Sequence, residues 1–288
     1  MPSLAKHQSN DFIKLLLLGD AKSGKTGSLV SLVKAGFKLR ILDMDNLLDV
    51  LKYYVIEQCP DKLENVEFRT LRDKYKTGPT GTIIDGQPKA WLESIKMLNR
   101  WKYKDGEEEM DLGSPGDWGP DCILVIDSLS RWCDAAYNLH QVMAPSGMDG
   151  RMIFFTAQKD VEKQLASLTS ENFECNLIVI CHGTFIDMED GTKKIFPQGV
   201  GQALSPKIPQ YFPNYIRYKN VNGQRTIQTV SDPMIDLANA RPSLIKGTFK
   251  IETGLAEIFA ALKEPPKQKE EPTTTKPTQP KPTLIKRA

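Results

Sequence analysis

Four apolar runs, each closing on a polar residue, punctuate the chain. Residues 15–18 read LLLL and close on Gly19-Asp20, and residues 38–46, KLRILDMDN, close on Asp43 and Asp45. Residues 122–126, CILVI, close on Asp127, and residues 177–181, LIVIC, close on His182. Short apolar, partly β-branched runs of this kind read as strands buried on both faces, as in a parallel sheet. Between them the period changes. Within residues 88–103, Trp91, Leu92, Ile95, Leu98 and Trp101 recur at helical spacing. Further helices are expected to start over 28–32 and to cover 47–59, 129–143 and 152–168, with a short strand at 66–69. Strands alternating with helices predict an α/β fold, a mainly parallel sheet flanked by helices.

Beyond His182 the pattern turns to hairpins. FIDMEDGTKKIF contains Asp190-Gly191, and NYIRYKNVNGQRTIQTV contains Asn222-Gly223, the strongest short hairpin signal. The sheet is therefore expected to continue past its parallel part with antiparallel hairpins on the C-terminal side. Residues 78–86, 104–121 and 145–150 read as loops, the second being acidic and rich in Gly and Pro, a solvated face. Residues 1–11 are polar and expected to be flexible. From residue 263 to 288 Pro, Lys, Thr and Glu dominate, which predicts a disordered tail with a solvated Lys286-Arg287. The organisation is then a flexible segment at 1–11, one domain over 12–262 and a disordered tail over 263–288.

The chemistry enters at the first strand end. GDAKSGKT is a complete match to G-x-x-x-x-G-K-[ST], set between a strand and a helix as that pattern requires. Gly19 and Gly24 let the loop curl so that successive backbone N–H groups point at phosphates. Residues Gly19, Asp20, Ala21, Lys22, Ser23, Gly24, Lys25, Thr26 and Gly27 form the expected cradle for ATP. Lys25 supplies a point charge to the β- and γ-phosphates, and Thr26 a hydroxyl to Mg²⁺. Asp127, at a strand end in the ligand crevice, is the expected second metal ligand. Asp43 and Asp45 are both candidates to activate water, because alternation puts them on one face. His182, at its own strand end, is a candidate sensor of the γ-phosphate.

Taken in this order, GDAKSGKT, RILDMDN, ILVIDS and IVICH resemble the RecA-like P-loop ATPase core. The resemblance covers residues 12–262 and comes nearest to the AAA-type phage nucleotide-binding proteins, several of which resemble single-strand annealing proteins. FPQGVGQALSPKIPQYFPNYI and RTIQTVSDPMIDLANARPSLI add to it. It implies Asp45 as the acid that activates water, where bacterial recombinases carry Glu, and His182 where they commonly carry Gln. It also implies a homo-oligomer, a recombination or single-strand-binding partner, and a cation reaching in from the next subunit. Arg217, Arg225, Arg241 and Lys246 are candidates, Arg241 foremost. Single-stranded DNA is expected near residues 144–151 and at Lys193, Lys194 and Phe196, with Lys207, Tyr211 and Phe212 nearby, because ammonium groups and an aromatic ring suit phosphate contact and base stacking.

Composition narrows this picture little. The 288 residues carry 26% charged and 40% hydrophobic positions and a net charge of +2. That balance is ordinary for a globular protein and gives no global basic field, so any nucleic-acid contact is a local patch. No apolar run is long enough to span a bilayer, and no membrane association is expected. Five scattered cysteines without a C-x-x-C pair predict free thiols, no zinc and a cytoplasmic location, the host cytosol if the chain is phage-encoded. The function that follows is ATP hydrolysis coupled to single-stranded DNA in phage recombination or annealing. Two alternatives are a nucleotide-gated accessory module with slow turnover, for helicase loading or packaging, and a P-loop small-molecule kinase. The kinase reading wants an arginine-rich lid, and residues 145–164 hold only Arg151.

Overall fold

The computed structural model describes residues 12–79 and 81–264. The expectations for residues 1–11, and for the tail beyond residue 264, lie outside the described residues. Fourteen strands and eight α-helices follow one another in these residues. In order they are β1 (Lys14–Gly19), α1 (Lys25–Ser28), α2 (Val30–Lys34), β2 (Lys38–Asp43), α3 (Asp49–Gln58), β3 (Val66–Thr70), β4 (Tyr75–Gly78) and β5 (Gly81–Ile84). Then come α4 (Ala90–Asn99), β6 (Lys102–Asp105), β7 (Glu108–Asp111), β8 (Gly119–Asp127), α5 (Leu129–Met143), α6 (Gly150–Leu168) and β9 (Cys175–Cys181). The chain closes with β10 (Gly183–Asp187), β11 (Lys193–Pro197), α7 (Gly201–Leu204), β12 (Asn214–Val221), β13 (Gln224–Gln228), β14 (Thr248–Lys250) and α8 (Gly254–Lys263).

Eight strands form one sheet in the order β14-β13-β12-β1-β9-β8-β2-β3. From β12 to β3 every neighbouring pair is parallel, and β12-β13-β14 continue antiparallel. Alternation divides the apolar strands between two cores. Leu16, Leu18, Leu124, Ile126, Leu177 and Val179 face one layer with Trp132, Ala136, Val161 and Leu165 of α5 and α6. Leu15, Leu17, Ile123, Val125, Ile178 and Ile180 face the other with Leu32, Leu51, Val55 and Phe259 of α2, α3 and α8. Both faces being covered explains why these strands read as unbroken apolar runs. The phosphate-loop strand β1 lies centrally, with β9 inserted between it and the acidic strand β8. That order, with helices on both faces, is the mainly parallel α/β architecture that the sequence predicts.

Several sequence expectations need correction. Residues 78–86 are not loop throughout, because β4 and β5 pair as a hairpin. Residues 104–121 contain the rest of a second hairpin, β6–β7, and the start of β8. Polar, exposed strands on both arms gave neither hairpin an apolar pattern to read. The helix expected over 88–103 stops at Asn99, since Trp101 turns inward, fully buried, with its ring 5.5 Å from that of Trp118. The first of the late hairpins, β10–β11, forms a separate two-stranded sheet and does not extend the main one. The second does, but its first arm, β12, runs parallel to β1.

Candidate functional site

The C-terminal ends of β1, β8, β2 and β9 converge on one cluster. After β1 the chain turns through Lys22 (φ 64°) and Gly24 (φ 96°), left-handed conformations, and enters α1. Gly19 has no room for a side chain: a Cβ there would lie 2.8 Å from the Tyr218 carbonyl oxygen and 2.8 Å from Ser23 Oγ. Lys25 is buried, and its Nζ donates to the carbonyls of Gly19 (2.7 Å) and Asp20 (2.9 Å). Burial lowers its pKa from the ordinary value, against the pull of Cys181, Asp127, Asp20 and Asp45. Ser28 Oγ donates to the Lys25 carbonyl at 2.7 Å and lies 2.8 Å from the Tyr218 hydroxyl, fastening the helix start to β12.

The decisive contact is between two residues 101 positions apart. Thr26 Oγ1 donates to Asp127 Oδ2 at 2.6 Å. Asp127 is 6% exposed, and burial pushes its carboxyl up to about 6, with Asp45 and Asp43 adding to the rise and Thr26 and Lys25 opposing it. The Asp127–Ser128 peptide bond is cis. Ser128 Oγ is buried beside the Asp45 carboxylate. The Thr26 hydroxyl and the Asp127 carboxylate form an all-oxygen donor set. Such a set fits Mg²⁺ bound through a few protein oxygens, with phosphate and water completing the shell.

Asp43 and Asp45 part company here. Asp43 Oδ1 accepts from the backbone N–H groups of Asn46 (2.7 Å) and Asp45 (3.2 Å), and its Oδ2 accepts from Thr70 Oγ1 (2.8 Å). Asp43 thus clasps the turn after β2; burial raises its pKa and these bonds oppose the rise. Asp45 instead faces the cluster. Its Oδ1 lies 3.4 Å from Arg131 Nε and its Oδ2 3.9 Å from His182 Nε2. Burial works to raise the Asp45 carboxyl, but the close approach of His182 and the Ser128 hydroxyl, with the charge of Arg131, outweighs it and holds the group below its ordinary value. His182 sits at the end of β9; its N–H donates to Ser130 Oγ at 3.2 Å, and its carbonyl accepts from the Gln198 N–H at 2.8 Å.

Arg131 escaped the sequence reading. It lies in the first turn of α5 and is shared between Asp45, at 3.4 Å, and Asp134, at 3.2 Å, a pairing across the fold that the local sequence does not signal. The remaining cations lie in varied settings. Arg217 approaches Asp232 to 3.9 Å, and Lys246 is in an exposed loop. Arg241 donates to the Glu264 carbonyl at the end of α8, and the Ala240 N–H beside it bonds Asn214, which begins β12, so it lies at the end of the sheet away from the loop. Arg225 packs on the phosphate loop of its own chain. The cations expected to meet DNA are paired: Lys193 with Asp187 (3.4 Å), Lys194 with Asp236 (2.6 Å) and Lys207 with Glu162 (3.0 Å). Phe196 and Tyr211 are half-buried and Phe212 is buried.

No family model and no curated protein matches the chain. Among solved structures it is similar to the assembled ATPase EscN, in complex with its central stalk EscO, from the type III secretion system of enteropathogenic E. coli, at 11% identity and TM-score 0.41, covering 73% of this chain and 42% of that one. A prototypical ATPase from the type III secretion system of pathogenic bacteria gives 11% identity and TM-score 0.40, with 72% and 52% covered. The ATP synthase subunit NeqB from Nanoarcheaum equitans gives 9% and 0.37, with 73% and 47% covered. The chain spans about half the length of these proteins. The fold assignment rests on the strand order and the position of the loop. No helix among the described residues is long and apolar enough to cross a membrane.

Proposed function

We propose that this chain binds Mg²⁺-ATP and hydrolyses it, using the energy or the switching on single-stranded DNA. The observation that carries the nucleotide part is the 2.6 Å bond from Thr26 to Asp127, which brings the two halves of a metal site together from separate strands. Bound Mg²⁺ supplies charge neutralisation at the phosphate oxygens. The loop N–H groups between Gly19 and Gly27 hold the phosphates, and Lys25 adds a positive charge to them. Asp45, held ionised beside Arg131 and His182, accepts the proton of an attacking water. His182 stands at the junction of the site with β10–β11, where Gly183 begins β10. A shift of His182 at the γ-phosphate passes directly into that hairpin.

The DNA part is supported by what the hairpin carries. Lys193, Lys194 and Phe196 lie on it, with Phe185 exposed on its first arm. Binding there exchanges the carboxylate partners of the lysines for DNA phosphates, and exposed rings suit base stacking. Phage recombination or annealing is the biological setting that the sequence resemblance implies. The experiment is ATP turnover with and without single-stranded DNA at two salt concentrations. Turnover stimulated by DNA, with the stimulation fading at the higher salt, is the expected result. Turnover indifferent to DNA at both salts removes the DNA part, and no turnover with retained ATP binding favours a slow, nucleotide-gated module. One observation supports that second reading: the two oxygens of Asp45 face the Arg131 guanidinium and the His182 ring, so the base is restrained.

A further inference from the structure

The two sides of the phosphate loop differ. On one side, two strands from β1, β8 brings Asp127, and β2 beyond it brings Asp45. On the other side, also two strands from β1, lies β13. There a Cβ on Gly24 would meet Arg225 Cδ, Ile251 Cδ1 and Ile251 Cγ1, each at 3.3 Å. Arg225 is the second residue of β13, just past the Asn222-Gly223 turn, and Ile251 directly follows β14. The antiparallel extension of the sheet therefore delivers both side chains to the loop of the same chain. Arg225 is exposed, and among the described residues its guanidinium makes no hydrogen bond or ion pair. By contrast, Arg131 and Arg217 both face carboxylates.

A nucleotide in this loop has a direction. Its metal-bound, reactive end belongs with Asp127 and Asp45, so its nucleoside end leaves toward β13. We propose that Arg225 and Ile251 form the seat of the nucleobase, an inference that rests on the nucleotide reading above. A planar guanidinium stacks on a ring, and a branched aliphatic side chain packs against the same apolar surface. Both contacts address the face of the base and neither reads its edge. Adenine and guanine are therefore held alike, and the pair adds nothing to a triphosphate that lacks a base.

The test is calorimetric titration of wild type, Arg225→Ala and Ile251→Ala with ATP, GTP and inorganic tripolyphosphate, all with Mg²⁺. Each variant is expected to lose roughly 3- to 30-fold in affinity for ATP and GTP and to keep its affinity for tripolyphosphate within about twofold. Unchanged melting temperatures of the ligand-free variants exclude a folding defect. An equal loss for all three ligands would place the guanidinium on the phosphates and overturn the seat, and so would ATP binding unchanged in both variants. Wild-type protein that binds tripolyphosphate as tightly as ATP overturns the seat and leaves the phosphate cradle standing. Wild-type protein that binds neither refutes the nucleotide reading itself.

Discussion

Asp127 holds its place at some expense to the fold. Its pKa is raised by burial to about 6, so the folded state binds the proton more tightly than the unfolded chain, whose carboxyl titrates near ~4. A raised carboxyl contributes stability that is full below pH ~4 and is lost as pH rises through about 6. At neutral pH the metal-free protein carries the charge with only Thr26 and Lys25 to offset its burial. Asp127→Asn keeps an oxygen to accept from Thr26 and removes the charge. The metal-free variant is expected to gain roughly 1–3 kcal/mol over wild type at pH 7.5 and nothing at pH 4. It is also expected to lose Mg²⁺-dependent turnover. Melting curves at the two pH values decide it, and a variant less stable than wild type at pH 7.5 contradicts the argument. Asp45 makes the complementary case, being held ionised. Asp45→Asn is expected to bind ATP within about threefold of wild type and to turn over roughly 100- to 10,000-fold more slowly. Unimpaired turnover would take the water-activating role away from this residue.

At the scale of elements, the late hairpin extends the sheet and also anchors the loop that follows it. Asp232 Oδ2 accepts from Lys219 Nζ on β12 and Gln228 Nε2 on β13, both at 3.0 Å, and its Oδ1 accepts from the Met234 N–H at 2.9 Å. Burial pushes its pKa up, but these bonds prevail and hold the carboxyl at about 2. A depressed carboxyl contributes stability that is present above the unfolded value near ~4 and is lost as pH falls through about 2. The group is partly solvated, so Asp232→Asn is expected to cost only about 1 kcal/mol at pH 7 and nothing at pH 2. Urea titrations at both pH values read this directly, and an equal loss at pH 2 would show that shape, not charge, matters there. These elements also mark what the sequence could and could not tell. Strands β1, β2, β8 and β9 were legible because burial on both faces makes them uniformly apolar. The Asn222-Gly223 turn was legible because both residues must take positive φ, 53° and 84°. The parallel pairing of β12 with β1 was not, since local residues do not encode a partner some 200 positions away. Asp127 and the loop, which the structure brings together, could be picked out from strand ends alone. The different settings of Asp43 and Asp45 could not, because they turn on which carboxylate Thr70 and the Asn46 N–H claim.

For the whole molecule the question is whether the site and the two cores act as one unit. Strand β1 sits centrally, with Leu15 and Leu17 in one core and Leu16 and Leu18 in the other, all fully buried. The cradle grows from the end of that strand, and the Thr26–Asp127 bond ties it to β8 across the intervening β9. No half of the sheet can open without exposing surface in both layers, so the domain should unfold in a single transition. A ligand bound only to the folded form then stabilises all of it. At a free concentration about 100 times its dissociation constant, Mg²⁺-ATP adds about 2.7 kcal/mol. For a domain of this size that raises the melting temperature by roughly 5–10 °C. Lys25→Ala removes the charge facing the phosphates and is expected to abolish the shift while the ligand-free variant still melts in one step. Two separate transitions in wild type, with only one moved by ATP, would show that the layers are not coupled through β1. A shift that survives in Lys25→Ala would place the nucleotide elsewhere than the loop after β1. Scanning calorimetry separates the two failures, because it reports the number of transitions and the displacement of each.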